Sequence, residues 1–247
     1  MVKPTDIWLC GYMKSGNTWL SEIVSLIMAD GVVDRVRERP ITERVPNIFI
    51  VDNDRCNSVW FEGLIDPRIT VNHLELKYLP RFEGKEGKMI YIVRNPKDVC
   101  VSLYRFQHMT KSRAIDWDEM YGFFLDGHLI IGDWLSHVTD FWLAYGTGNH
   151  PSFTAETVAN ITTHCSLRTM RDNPMANQSD LMTRVGKPGA QFVRKGIIGD
   201  WRRHMTDTQS ALFDERFGQQ LRAIGLPVCD ELADAQRCMR DTGRIIV

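Results

Sequence analysis

The 247-residue chain predicts a single α/β domain with a central, mostly parallel sheet flanked by helices. Short apolar runs of strand length recur at 6–10 (DIWLC), 68–72 (RITVN) and 88–93 (KMIYIV), each followed by polar or Gly/Pro punctuation. Longer stretches of helical period lie between and after them, and such alternation implies crossover connections. Internal repeats and low-complexity linkers are absent, so one domain over 1–247 is expected.

Each element has a local cause. After the first strand, the stretch from Thr18 to about Asp30 places Leu20, Ile23, Val24 and Ile27 on one stripe and stops at Gly31, a natural C′ residue. The third strand leads into NPKDV: Asn95 is suited to cap, Pro96 to the first helical position, and Asp98 to the positive helix end. Further helices are expected over 116–126, 129–145, 154–171 and 207–224.

Composition narrows the function classes. A formal net charge of −1 without Lys/Arg blocks argues against a nucleic-acid partner. Six cysteines (Cys10, Cys56, Cys100, Cys165, Cys229, Cys238) lack CxxC or Cys/His metal spacing and read as reduced thiols of a reducing compartment. The N-terminus has too short an apolar stretch for a signal peptide. Nothing approaches the ~18 apolar residues of a membrane span. A cytoplasmic protein without a membrane partner is expected.

Three stretches carry candidate chemistry. In GYMKSGNTWL (11–20) a buried strand, a Lys-Ser-Gly-Asn-Thr loop and an amphipathic helix make an arrangement that points backbone N–H groups at an anion, although it also fits a plain β–α turn. It is not a Walker A loop, because the lysine precedes the glycine. In YIVRNPKDVCVSLYRF (91–106) Arg94 ends a strand where its fork suits a phosphate, or equally a surface ion pair, and Ser102 lies about two helical turns further on. In FVRKGIIGDW (192–201) Arg194, Lys195 and Gly196 suit either a clamp over phosphate oxygens or a solvated basic turn.

Taken together and in this order, the three stretches resemble the cofactor-binding signatures of the cytosolic sulfotransferases, over a core of about 7–225 with the tail 226–247 unassigned. PRITVNHLELKYLP (67–80), HVTDFW (137–142) and HCSLRTMRDNPMAN (164–177) are similar to further family segments. The resemblance implies a P-loop NTPase-like fold of sulfotransferase type. It also implies transfer of a sulfuryl group from 3′-phosphoadenosine 5′-phosphosulfate (PAPS) to a hydroxyl or amine of a small acceptor such as a phenol or steroid, leaving PAP. The alternative is a catalytically impaired binder of PAPS or PAP.

By resemblance, Lys14, Ser15, Gly16, Asn17, Thr18 and Trp19 hold the 5′-phosphosulfate end, with Lys14 at the leaving oxygen and Trp19 near the adenine. Arg94, Ser102, Arg194, Lys195 and Gly196, following Phe192 and Val193, take the 3′-phosphate. Cys165 and Leu167 stand where the family usually has Thr and Phe beside the adenine. His73 matches the general base, a task suited to an imidazole with an unperturbed pKa near 6.5; His73, Lys14 and Ser102 form the active centre. Phe106, with Trp60, Phe61 and Ile131, either lines the acceptor pocket or packs in the core. No metal is expected, and the oligomeric state implied is a monomer or weak homodimer.

Departures are also legible. Val71 replaces the lysine usual two residues before the histidine, Met13 a proline and Asn17 a threonine. A strand ending in a Tyr-Glu-Asp-like motif, with its following helix, is missing near 146–151, where Gly148 to Pro151 bridges directly; its loss would expose neighbouring strands. RRHMTDTQSA (202–211) keeps only Arg202 and Thr206 of the family's dimer motif.

Overall fold

The structure is a computed structural model that describes residues 2–48, 58–80, 87–145, 154–226 and 228–242. In chain order these form β1 (Ile7–Gly11), α1 (Asn17–Met28), α2 (Val33–Val36), α3 (Ile41–Arg44), α4 (Ser58–Glu62), β2 (Ile69–Asn72) and β3 (Lys88–Ile92). The chain continues through α5 (Pro96–Met109), α6 (Trp117–Leu125), α7 (Trp134–Tyr145), α8 (Ala155–His164), α9 (Leu167–Asp172), α10 (Ser179–Val185), α11 (Asp207–Ala223) and α12 (Leu232–Thr242). The proposed bridge at Gly148 to Pro151 lies outside the described residues.

The residues group into two compact units, one of Met1–Gly11, Gly16–Ile92 and Asn149–Lys195, the other of Tyr12–Ser15, Val93–Gly148 and Gly196–Val247. The first unit contains the parallel sheet, in the order β2-β1-β3. All three expected strands are present within a residue or so of their sequence bounds. β1 is central and buried at every position, as a strand paired on both sides requires. β3 is an edge among the described residues, and its Ile90 is 38% exposed.

Asp6 sets the register at the foot of this sheet. Its carboxylate accepts from Arg68 Nε at 2.6 Å, its carbonyl accepts from Lys88 N–H at 2.7 Å, and Ile7 N–H donates to the Arg68 carbonyl at 2.9 Å. Both charged side chains are fully buried, and the carboxylate holds the Arg68 pKa above its ordinary value. Ile7, Leu9, Val24, Ile41, Val45 and Val71 pack above this pair as one apolar cluster.

α1 buries a different stripe from the one its apolar periodicity predicts. Ser21, Glu22 and Ser25 are buried with Val24 and Leu26. Glu22 tolerates full burial because Arg44 Nη2 lies 2.6 Å from one carboxylate oxygen and His164 Nε2 2.8 Å from the other. The helix ends in a Schellman motif: Asp30 N–H donates to the Ile27 carbonyl and Gly31 N–H to that of Leu26. Asp30, at φ 54°, therefore takes the C′ position, and Gly31 is one residue beyond it.

Two other helices are shorter than their sequence pattern suggests. The stretch 129–145 begins its helix at Trp134, because Gly132 turns at φ 78° and the Asp133 carboxylate caps the Ser136 N–H at 2.8 Å. The stretch 154–171 breaks into α8 and α9, since Ser166 accepts from Thr169 N–H and starts a new helix.

In the second unit Asn95 caps α5 as expected, accepting from Lys97 N–H at 3.0 Å, with Pro96 at the first position. Asp98 has a further task, accepting from the N–H groups of Gly199 and Trp201 at 2.8 and 3.0 Å. Asn95 Nδ2 also donates to the Cys229 carbonyl and the Asp230 carboxylate, which docks the tail that the sequence leaves unassigned. Arg202 donates to the Asp230 carbonyl, and Thr206 forms a capping box with Gln209 at the start of α11. An aromatic core of Phe124, Trp134, Phe213 and Phe217 holds α6, α7 and α11.

Arg68→Ala is expected to lower stability by about 3–5 kcal/mol, because it leaves Asp6 charged and buried without its partner. Urea unfolding measures this, and a loss below about 1 kcal/mol would contradict the role given to the pair.

Candidate functional site

The last residue of β1 is Gly11, where no side chain fits. A Cβ on Gly11 would lie 2.6 Å from Ile92 Cγ2 and 2.8 Å from Asn17 Oδ1. The chain then turns: Ser15 N–H donates to the Tyr12 carbonyl at 3.2 Å, while Lys14 and Gly16 take positive φ angles of 66° and 108°. Gly16 adopts this conformation without steric cost, whereas Lys14 does so under strain. Asn17, Thr18 and Trp19 open α1, where the first N–H groups have no partner inside the helix. Ser15 Oγ is buried without a hydrogen-bond partner among the described residues. An orphaned hydroxyl beside a helix N-terminus fits an anionic group such as the phosphosulfate end of a nucleotide.

Strand register brings the candidate base to this point. Cys10 pairs with Asn72, so the next residue, His73, lies alongside Gly11. Its ring is buried, and Nδ1 is 2.8 Å from the Gly11 carbonyl oxygen. A carbonyl can only accept, so Nδ1 carries a proton and donates. In the neutral ring the lone pair then sits on Nε2.

Asn72 shapes the bend that presents this ring. Its Nδ2 donates to Cys10 Sγ at 3.2 Å, and its Oδ1 accepts from Leu74 N–H at 3.2 Å across His73, the closure of an Asx-turn. Burial pushes the Cys10 thiol up to about 12 despite that hydrogen bond, so it remains a thiol. Asn72 is a site residue that sequence reasoning passed over; its one signal was a polar side chain closing an apolar strand. Val71 is buried in the apolar cluster beneath, and so supplies packing where the family usually supplies a cation.

The first unit also gathers the residues expected around an adenine. Trp19 is half-exposed and donates from its indole Nε1 to the Cys165 carbonyl at 3.0 Å. Cys165 is itself buried, which raises its thiol pKa to about 12. Leu167 begins α9. Thr18 Oγ1 accepts from Gln178 Nε2, and Arg171 on α9 donates to the Arg194 carbonyl. Phe192, Val193, Arg194 and Lys195 are part-buried in an irregular segment held by that contact. Neither Gln178 nor Arg171 carried a signal in the sequence, because their roles depend on contacts with residues 160 and 23 positions away.

The second unit places Lys14, Arg94 and Phe106 together. Arg94 Nη1 donates to the Lys14 carbonyl at 3.1 Å, bracing the strained residue. The Lys14 ammonium lies 4.2 Å from the Phe106 ring centroid, a cation–π contact. Ser102 is part-buried on α5, one turn before Phe106, and Gly196 takes φ 58°. Tyr12 anchors the start of the loop by donating its hydroxyl to the Gly132 carbonyl at 2.8 Å.

Other candidates have packing roles. Phe61 lies 5.6 Å from the Trp8 ring, with the Arg68 guanidinium 4.3 Å from its centroid, and Ile131 is buried in the core of the second unit. A cleft of about 800 Å³ lined by Leu125, His128 and Arg216, and another of about 490 Å³ lined by Arg35, Arg39 and Arg44, include none of the sequence-predicted site residues. Among the described residues no group of His, Cys, Asp or Glu is placed to hold a metal ion, and no helix is long and apolar enough to cross a membrane.

A parallel sheet, a strand–loop–helix turn with one buried, unpartnered hydroxyl at Ser15 and a buried histidine at the end of the neighbouring strand make up the candidate site of an α/β protein. A family model described as a sulfotransferase domain matches residues 4–153 and 150–225. Sulfotransferase 1B1 of Mus musculus is 32% identical over 264 aligned positions, covering 94% of this chain and 88% of the relative. Sulfotransferase 1E1 of Cavia porcellus is 32% identical, covering 93% and 88%. The chain belongs to the sulfotransferase family. Solved structures support the fold: retinol dehydratase in complex with retinol and PAP superposes with a TM-score of 0.79 at 18% identity, over 93% of this chain and 84% of that one. A mouse sulfotransferase complexed with PAP gives 0.67 at 23% identity, over 98% and 89%. The alignment of 264 positions is longer than the 247-residue chain, so the mouse relative has positions that this chain lacks.

Gly11→Ala is expected to cost about 1–3 kcal/mol of stability through overpacking against Ile92 and Asn17. A denaturant midpoint equal to that of the wild type would show that the loop tolerates a side chain there.

Proposed function

We propose that this sulfotransferase moves the sulfuryl group of PAPS to the hydroxyl or amine of a small acceptor, with His73 as general base. Family membership supports the donor and the class of reaction. The observation that carries the assignment of His73 is the Nδ1 contact with the Gly11 carbonyl, which leaves Nε2 as the basic nitrogen of the neutral ring. Nε2 takes the proton of the acceptor oxygen while that oxygen bonds to sulfur. The bond from sulfur to the 5′-phosphate oxygen breaks, its electron pair stays on that oxygen, and PAP is released.

In this reading Ser15 through Trp19 cradle the phosphosulfate, with the orphaned Ser15 hydroxyl among the donors, and Lys14 neutralises charge on the leaving oxygen. Arg94, Ser102, Arg194, Lys195 and Gly196 hold the 3′-phosphate, with Phe192 and Val193 leading into that segment. Trp19, Cys165 and Leu167 flank the adenine. Phe106 serves the acceptor pocket and steadies the Lys14 ammonium. No metal enters the reaction. Val71 leaves Lys14 without a second cation, so transfer is slower by about 10²–10³-fold than in a lysine-bearing counterpart and favours acidic acceptors such as phenols. The proposal takes the protein to act in the cytoplasm as a single domain, monomeric or weakly dimeric; Arg202 and Thr206, the two residues kept from the family's dimer motif, bond within their own chain.

Transfer of labelled sulfate from PAPS to a panel of phenols, steroids and amines tests the reading. His73→Ala is expected to lower transfer by about 10²–10⁴-fold while PAP at 100 times its Kd still stabilises the protein by about 2.7 kcal/mol. A wild type that binds PAP but transfers nothing would instead support a nucleotide-binding member without catalysis. Loss of both transfer and PAP binding in His73→Ala would assign the histidine a structural role.

A further inference from the structure

A short extended segment lies along the outer edge of β2 and delivers one more side chain to His73. Val71 N–H donates to the Pro46 carbonyl at 3.0 Å, and Ile48 N–H donates to the Val71 carbonyl at 2.9 Å. These bonds pair Asn47 with Val71 in parallel register, which fixes the backbone on both sides of Asn47. Its Nδ2 lies 3.3 Å from His73 Nε2.

The two contacts of the ring agree on one protonation state. The Gly11 carbonyl requires a hydrogen on Nδ1. The neutral ring then offers a lone pair at Nε2, and of the two ends of the Asn47 amide only the NH₂ group can donate to it. The amide orientation therefore follows from the ring, and the ring's tautomer from the strand.

We propose that Asn47 is a positioning residue for the base, an inference that rests on the reading of His73 given above. The Asn47 amide holds Nε2 unprotonated and in place until an acceptor hydroxyl takes over the position of the amide N–H. A separation of 3.3 Å is at the long, weak end for an N–H donor, so an incoming O–H displaces it at little cost. Once the acceptor's proton has moved to Nε2, both ring nitrogens are donors. The Gly11 carbonyl continues to accept from Nδ1, and the Asn47 amide, turned about its terminal bond, presents Oδ1 to Nε2–H. One side chain thus serves both states of the ring, which a purely accepting or an apolar side chain cannot do.

The test combines ¹⁵N NMR of the histidine rings at pH 7, with His73 assigned through His73→Ala, and steady-state kinetics on Asn47→Asp and Asn47→Leu. In the wild type the His73 ring is expected to show the neutral Nδ1–H pattern. Asn47→Asp, which can only accept, is expected to move that signal toward the imidazolium pattern and to lower kcat by about 10-fold or more, a part of the 10²–10⁴-fold that a general base contributes, with KM for PAPS unchanged. Asn47→Leu is expected to keep the Nδ1–H pattern through Gly11 but to lower kcat in the same direction. Unchanged ring signals and unchanged kcat in both variants would overturn the proposal, and a raised KM for PAPS with normal kcat would show that Asn47 acts on the nucleotide instead. If Asn47→Asp does not fold, Asn47→Leu alone decides through kcat. The ring spectrum does not depend on turnover. If the wild type transfers no sulfuryl group, the base reading of His73 therefore fails, while the Asn47 contact is still decided by the NMR comparison of Asn47→Asp with the wild type.

Discussion

The fully buried pair of Asp6 and Arg68 is the constraint on which the candidate site depends. Two opposite charges without water cannot exchange partners cheaply, and this pair joins the residue before β1 to the residue before β2. The Asp6 carbonyl adds the first hydrogen bond to β3. Register is thereby set at the foot of all three strands. Five residues further along from the pair, that register places His73 beside the carbonyl of Gly11. A slip of one residue would turn every side chain of β2 to the opposite face, and the histidine would lose the acceptor that defines its tautomer.

The buried charge on α1 follows the same logic. Glu22 is buried on α1 together with Ser21, Ser25, Val24 and Leu26, and its two carboxylate oxygens are met by Arg44 and His164 from other helices of the same unit. Arg44 also donates to the Met175 carbonyl, so the network reaches the segment that precedes α10. These contacts fix the body of α1, whose N-terminal residues hold the donors proposed for the nucleotide. The stability of the unit therefore rests on paired charges as well as on apolar area.

Val71 shows why a local departure is tolerated. The position belongs to a strand buried among Ile7, Leu9, Val24 and Val45, where a valine fills space without a desolvation cost and a lysine would need a partner. In the proposed reaction, what is gained in packing is lost as positive charge. That proposal leaves the charge to Lys14, whose backbone conformation is one a side chain seldom adopts and is braced by the Arg94 contact with its carbonyl.

By itself the sequence determined the three strands, the α5 cap at Asn95 and Pro96, the strand–loop–helix turn from Lys14 to Thr18, and His73 as the residue to consider. These are local properties: strand-length apolar runs, capping chemistry and motif spacing depend on neighbours within a few positions. Tertiary structure decided the rest. The break between α8 and α9, the buried stripe of α1, the docking of the tail on Asn95, and the contacts of Asn72, Asn47, Gln178 and Arg171 all depend on partners distant in sequence. No periodicity or motif records which distant carbonyl a ring nitrogen will face; burial does, because a polar group removed from water must find its partner wherever the chain brings one.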